Sequence, residues 1–194
     1  MRDRDVAYSI ARVISIVAHP FSLGAILLFF RTIKAEGASR GISSALLVVA
    51  LLILPMALFM VWRYRSGSWS TIDASERKER PVMFVVGLLL LVALLLVLRG
   101  RTEMAYLTSS MIGGIALLSL SFLLNLWIKA SLHVAFCGFC GAIALPFIAP
   151  LGAIFLALVP VLAWARVRMR RHSFSEVIVG ACAGLTVGAI VVLA

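Results

Sequence analysis

Val82–Leu98 runs without a single polar side chain, bounded by Arg80-Pro81 on one side and Arg99 on the other. A segment of that length and character matches a helix crossing the hydrocarbon core, which needs about 20 mostly apolar residues. Comparable runs recur at about 12–30, 43–62, 104–128, 133–147, 150–165 and 175–194. Hydrophobic residues make up 63% of the chain and charged residues 13%, against about 45–50% and about 25% in soluble domains. A 194-residue sphere has too much surface to hide that excess inside. A soluble enzyme, a nucleic-acid-binding domain and a disordered tail are excluded. The pattern predicts an all-α polytopic transmembrane bundle of about six to seven spans.

Punctuation within the runs adds detail. His19-Pro20 interrupts the first run, and Pro55 predicts a kink in the second. Pro146 and Pro150 separate 133–147 from 150–165, which read as a short helical hairpin. No internal repeat is visible, so residues 1–194 form one expected domain. The first run begins near Val13 and ends without a small-residue cleavage site, so it reads as a span rather than a cleavable leader. Cys137, Cys140 and Cys182 lie inside apolar stretches and read as small packing residues, not as a redox or zinc loop.

Seven spans put the N-terminus and segments 63–81, 129–133 and 166–174 on one membrane face, and 31–42, 99–103 and 147–149 on the other. The net charge of +10 then records topology and attraction to anionic headgroups rather than a nucleic-acid partner. Most of the 18 Lys and Arg residues fall on the first face. The excess persists after Arg77, Lys78, Arg80, Lys129 and Arg166 are set aside as phosphate contacts. The positive-inside rule therefore predicts that this face is cytoplasmic, in a plasma (inner) membrane.

The same face gathers the residues capable of chemistry: Arg77, Arg80, Lys129, Ser131, His133, Arg166, His172 and Glu176. Guanidinium groups clamp phosphate through forked hydrogen bonds, and two histidines can supply a nucleophile and a proton donor. Glu176 follows His172 by four residues, one helical turn, where it can orient the imidazole. No cluster of metal-ligating residues occurs in the sequence, so the expected chemistry is phosphoryl transfer with no metal or other cofactor. Taken singly, these residues also fit ordinary interfacial roles, and His19 reads as a residue that caps or kinks the first span.

Three spaced motifs bring them together. Asp73-Ala-Ser-Glu-Arg77-Lys-Glu-Arg80-Pro81, then Ala130-Ser131-Leu132-His133, then Ala165-Arg166 with His172 and Glu176 resemble the type 2 phosphatidic acid phosphatase family. That family carries K-x6-R-P, P-S-G-H and S-R-x5-H-x3-D in this order, and the resemblance covers about residues 73–184. Asp73 stands where the family has lysine, Leu132 where it has glycine and Glu176 where it has aspartate. Arg77, expected on one helical face with Asp73 and Arg80, is the candidate replacement for the lysine.

The resemblance implies a metal-independent lipid phosphatase. His172 would be the nucleophile that forms a phosphohistidine, Glu176 its orienting partner and His133 the general acid and base. Arg80 and Arg166 would hold the phosphate oxygens, with Arg77, Ser131 and Lys129 assisting. The implied substrates are lipid or isoprenoid phosphates: phosphatidate, phosphatidylglycerophosphate, or polyprenyl phosphates and diphosphates. A non-catalytic lipid transporter or scaffold on the same bundle is the alternative that Asp73 and Leu132 keep open. In the last span, His172, Glu176, Gly180, Gly184 and Gly188 recur every four residues. That stripe suits close helix packing, within the chain or in a homo-oligomer through the last helix.

Overall fold

Proline decides where the first apolar run breaks. In the computed structural model, which describes residues 2–193 and side chains from Val6 onward, α1 (Arg2–Val17) is followed by α2 (Pro20–Glu36) across a bend of 44°. Pro20 has no N–H to offer the preceding turn. The His19 amide donates to the Ile16 carbonyl at 3.3 Å instead, and His19 Nδ1 accepts the Phe21 amide at 3.2 Å. His19 is thus a helix cap at a break, and the run expected at 12–30 is two helices.

Pro55 has a milder effect. α3 (Ala38–Val48) and α4 (Leu54–Arg65) join through a π-helical turn, Val49–Ile53, into one rod over Ala38–Arg65. The wider turn sits just where proline removes a backbone donor, so the rod continues. Only Gly37 separates α2 from α3, with φ 79°, a conformation glycine adopts without penalty. The segment 31–42, expected as a polar connection, is therefore helical on both sides of one residue.

The remaining helices are α5 (Arg80–Leu98), α6 (Thr108–Leu124, preceded by a 3₁₀ segment over Thr102–Leu107), α7 (Leu132–Phe147), α8 (Ala149–Arg168) and α9 (Phe174–Leu193). Five stretches are long and apolar enough to cross a membrane, or six if the bent α1–α2 pair is one span. α7 has 16 residues and so is about 24 Å long, shorter than the hydrocarbon core. Among the described residues there is no strand. The chain is an all-α membrane bundle.

It divides into two compact units, Met1–Leu27 with Trp127–Ala194, and Leu28–Leu126. In the first, α7 is the central helix: Val134, Cys137, Cys140, Ile143 and Ala144 are all at most 1% exposed. α8 and α9 both pack on it, and α1 packs on α8. A Cβ at Gly180 would lie 2.6 Å from the Ser131 carbonyl oxygen and one at Gly188 2.7 Å from Ala142 Cβ, while at Gly184 it would collide with the Ala135 carbonyl. The glycine stripe of α9 is thus spent on α7 of the same chain. Cys137 and Cys140 are packing residues as expected, whereas Cys182 is exposed.

In the second unit, Val48, Leu94, Leu98, Met104, Leu107 and Met111 form an apolar cluster. Beside it, buried Arg31 donates to the Tyr106 carbonyl at 2.8 Å and to Ser110 Oγ. Glu36 accepts from the Tyr106 and Ser44 hydroxyls, each at 2.6 Å. These bonds matter because a buried charge without partners is costly away from water.

Candidate functional site

The turn between α8 and α9 sets the geometry. Backbone bonds from Met169, Arg170 and Arg171 to the carbonyls of Ala165, Val167 and Arg166 close the end of α8, with Arg170 at φ 56°. His172 emerges from this turn with its side chain 1% exposed. Its Nδ1 lies 2.8 Å from Glu176 Oε2 and 3.0 Å from the Lys129 carbonyl oxygen. Two acceptors on one ring nitrogen place the proton at Nδ1 and the lone pair at Nε2. A neutral imidazole held that way presents Nε2 as a nucleophile.

Glu176 has a second task. Ser173 Oγ accepts the Glu176 amide at 3.3 Å, and the Ser173 amide donates to Glu176 Oε2 at 3.2 Å. This is the reciprocal capping box of Ser-x-x-Glu at the start of a helix. The same oxygen that holds His172 therefore also starts α9, so the carboxylate is fixed before any ligand arrives.

α7 is tied into this corner. The Ser131 amide donates to the Glu176 carbonyl at 2.9 Å, and Gly180 lets the Ser131 carbonyl come close to α9. Ser131 is the N-cap of α7, yet its hydroxyl makes no cap bond and is buried without a protein partner. A helix N-terminus with a donor hydroxyl suits an anion. Leu132 begins the helix.

His133 follows, 7% exposed, and its ring meets that of His19 edge to face at 4.9 Å and 88°. Arg166, 3% exposed in the last turn of α8, donates to Ser15 Oγ at 2.8 Å. Beyond its role at the break, His19 thus belongs to this corner, as does Ser15, which the sequence pattern marked only as part of an apolar run. They sit four residues apart in an apolar run, and that spacing was the signal available in the sequence. Lys129 brings its backbone carbonyl to His172.

No family model, no curated protein and no solved structure matches this chain. The site stands on its own geometry. Six candidates (Lys129, Ser131, His133, Arg166, His172 and Glu176) belong to the first unit, and Arg77 and Arg80 to the second.

Within the second unit, Arg80 begins α5, is 3% exposed, and its Nε donates to the Ala74 carbonyl at 3.3 Å. Arg77 donates through Nε to the Asn125 carbonyl at 2.6 Å and through a terminal nitrogen to the Leu126 carbonyl. Those carbonyls close the C-terminal end of α6, where a cation is favoured. The shared helical face of Asp73, Arg77 and Arg80 is not found. Ala74 has φ 47°, Asp73 accepts the Ser75 hydroxyl at 2.8 Å, and helix begins only at Arg77. The short side chains of Ser75 and Thr71, which bond locally, favour this turn over a helix. Among the described residues no group of three or more His, Cys, Asp or Glu side chains is placed to hold a metal.

Proposed function

We propose that the chain is a membrane lipid phosphatase that works through a phosphohistidine on His172. The observation that carries this reading is the contact of His172 Nδ1 with both Glu176 and the Lys129 carbonyl, beside the head of α7. His172 Nε2 attacks phosphorus, and the bond from phosphorus to the lipid oxygen breaks. His133 donates its proton to that oxygen, and the lipid alcohol leaves, or the lipid monophosphate where the substrate is a diphosphate. His133, now neutral, takes a proton from water, whose oxygen attacks phosphorus and releases inorganic phosphate and Nε2. Glu176 stabilises the positive imidazole between the two steps.

Arg166 and the α7 N-terminus with Ser131 hold the non-bridging oxygens, where preorganised donors are most effective. The substrate pairs a phosphate with an apolar tail that stays in the bilayer, as in phosphatidate, phosphatidylglycerophosphate and polyprenyl phosphates or diphosphates. The site opens to the cytoplasmic face of the plasma membrane on the charge distribution. Purified protein assayed across those lipids with chelator present should release phosphate, and a rapid alkaline quench, under which a phosphohistidine survives, should trap label on His172. A His172→Ala protein with full activity would overturn the mechanism.

A second reading is a lipid-binding or scaffolding relative without turnover. Asp73 in place of lysine, and the commitment of Arg77 to the α6 carbonyls, support it. Absence of phosphate release from every lipid in the panel would favour it.

A further inference from the structure

Arg63 lies in the last turn of α4, and its guanidinium is enclosed by aromatic rings. The guanidinium carbon sits 6.0 Å from the Trp62 ring centroid and 5.7 Å from that of Trp69. The chain builds this enclosure deliberately. Gly67 at φ 72° turns the backbone so that the Ser68 and Trp69 amides both donate to the Arg63 carbonyl, at 3.1 and 3.2 Å. Phe59, one turn before Arg63, then supports the Trp69 ring edge-on at 5.6 Å. Trp69 is only 3% exposed.

What this charge lacks is an anion. Arg63 makes no side-chain hydrogen bond or ion pair with any described residue, and its Nε is buried without a partner, as is Trp69 Nε1. Glu79, the buried carboxylate held to the neighbouring Ser70, spends its oxygens on the Ser70 amide and hydroxyl and on the Glu76 amide. A guanidinium stays ionised under all ordinary conditions, and arginine is rarely shielded from water without a counter-charge. Both unpartnered groups are donors only, so the missing complement is an acceptor.

Position identifies its source. Arg63 closes the rod Ala38–Arg65, whose 28 residues are about 42 Å long and overshoot a hydrocarbon core of about 30 Å. Trp62 and Tyr64 on either side are 59% and 45% exposed, as aromatic residues are at headgroup depth. The anions in that layer are lipid phosphates.

We propose that Arg63, held over the rings of Trp62 and Trp69, binds the phosphate of an anionic phospholipid headgroup at the membrane interface. The two rings fix the guanidinium before the lipid arrives, so little ordering cost remains on binding. The site uses none of the residues assigned to phosphoryl transfer and does not rest on that assignment.

Native mass spectrometry of the full chain in detergent tests this with phosphatidylglycerol, phosphatidylcholine and inorganic phosphate as probes. Wild-type protein should retain phosphatidylglycerol about tenfold more strongly than phosphatidylcholine, and millimolar inorganic phosphate should not displace it. Arg63→Ala and Trp69→Ala should each remove most of that preference, while Arg101→Ala keeps it. Arg63→Lys, which keeps the charge without the planar fork, covers the case in which the alanine variants do not fold; it should also lose most of the preference. An unchanged preference in Arg63→Ala or Arg63→Lys would reduce Arg63 to a topology-setting charge. Displacement by inorganic phosphate would assign the site to the free ion and overturn the lipid proposal.

Discussion

Glu176 serves two structures with one carboxylate, and the two can be separated. Glu176→Gln keeps an acceptor for the Ser173 amide but removes the charge that stabilises a positive His172. It should lower kcat by about 10²-fold or more, in the range for a lost electrostatic contact to the transition state, and shift the melting temperature little. Ser173→Ala should do the reverse, costing about 1 kcal/mol of cap stability while kcat stays within a few-fold. Equal effects of both substitutions on kcat and melting would show that only the cap matters. Arg77 and Lys78 form a second contrast. Lys78 is exposed and Arg77 holds the Asn125 and Leu126 carbonyls, so Arg77→Ala should lower the melting temperature while Lys78→Ala leaves it unchanged. A matched loss in both would refute the cap on α6. The four-residue spacing of His172 and Glu176 was legible in the sequence because a helical turn brings such pairs together. The local turn at Asp73–Glu76 was not, since side chains of Thr71, Asp73 and Ser75 bonding to nearby groups outcompeted a helical periodicity that the sequence alone suggested.

At the scale of elements, α9 on α7 is the contact that holds the first unit together. In lipid there is no hydrophobic drive between helices, so close approach and dispersion carry the association. Gly184 stands where a side chain would meet the Ala135 carbonyl backbone, which cannot move aside like a flexible side chain. Gly184→Val should therefore destabilise the protein by more than the usual 1–3 kcal/mol of overpacking, and should also displace Glu176 relative to Ser131. Thermal melting in detergent checks the first part. Gly100→Val is the control, because nothing lies within 4 Å of a Cβ there, and equal losses at both positions would remove the packing argument. The glycine period was readable from the sequence; the partner helix was not, because a stripe of small residues says how close a neighbour comes and not which one. Helix boundaries moved for the same kind of reason. α8 runs past 165 to Arg168, with a terminal nitrogen of Arg166 donating to Ser15 on α1, a contact 151 positions away in sequence.

At the scale of the whole molecule, the membrane face that carries His172 follows from the order of the spans. α7 is short, and a seven-span count depends on how it is treated. The hydrogen bond between His172 Nδ1 and the Lys129 carbonyl removes that dependence. It places the start of α7 and the end of α8 at one level, so the hairpin leaves and returns on the same side however deep α7 reaches. The His19–His133 ring contact likewise sets the corner between α1 and α2 beside the head of α7. Counting spans along the sequence, 63–81 and 166–174 are expected on the face rich in Lys and Arg, and 99–103 on the other. With native cysteines replaced, single cysteines at positions 68 and 170 should resist an impermeant maleimide in intact cells, while one at 101 should react. Permeabilised cells should label all three, which shows that each thiol is accessible once the barrier is gone. Labelling of 68 and 170 in intact cells, with 101 protected, would put the site outside and show that its arginines are there for phosphate rather than for topology.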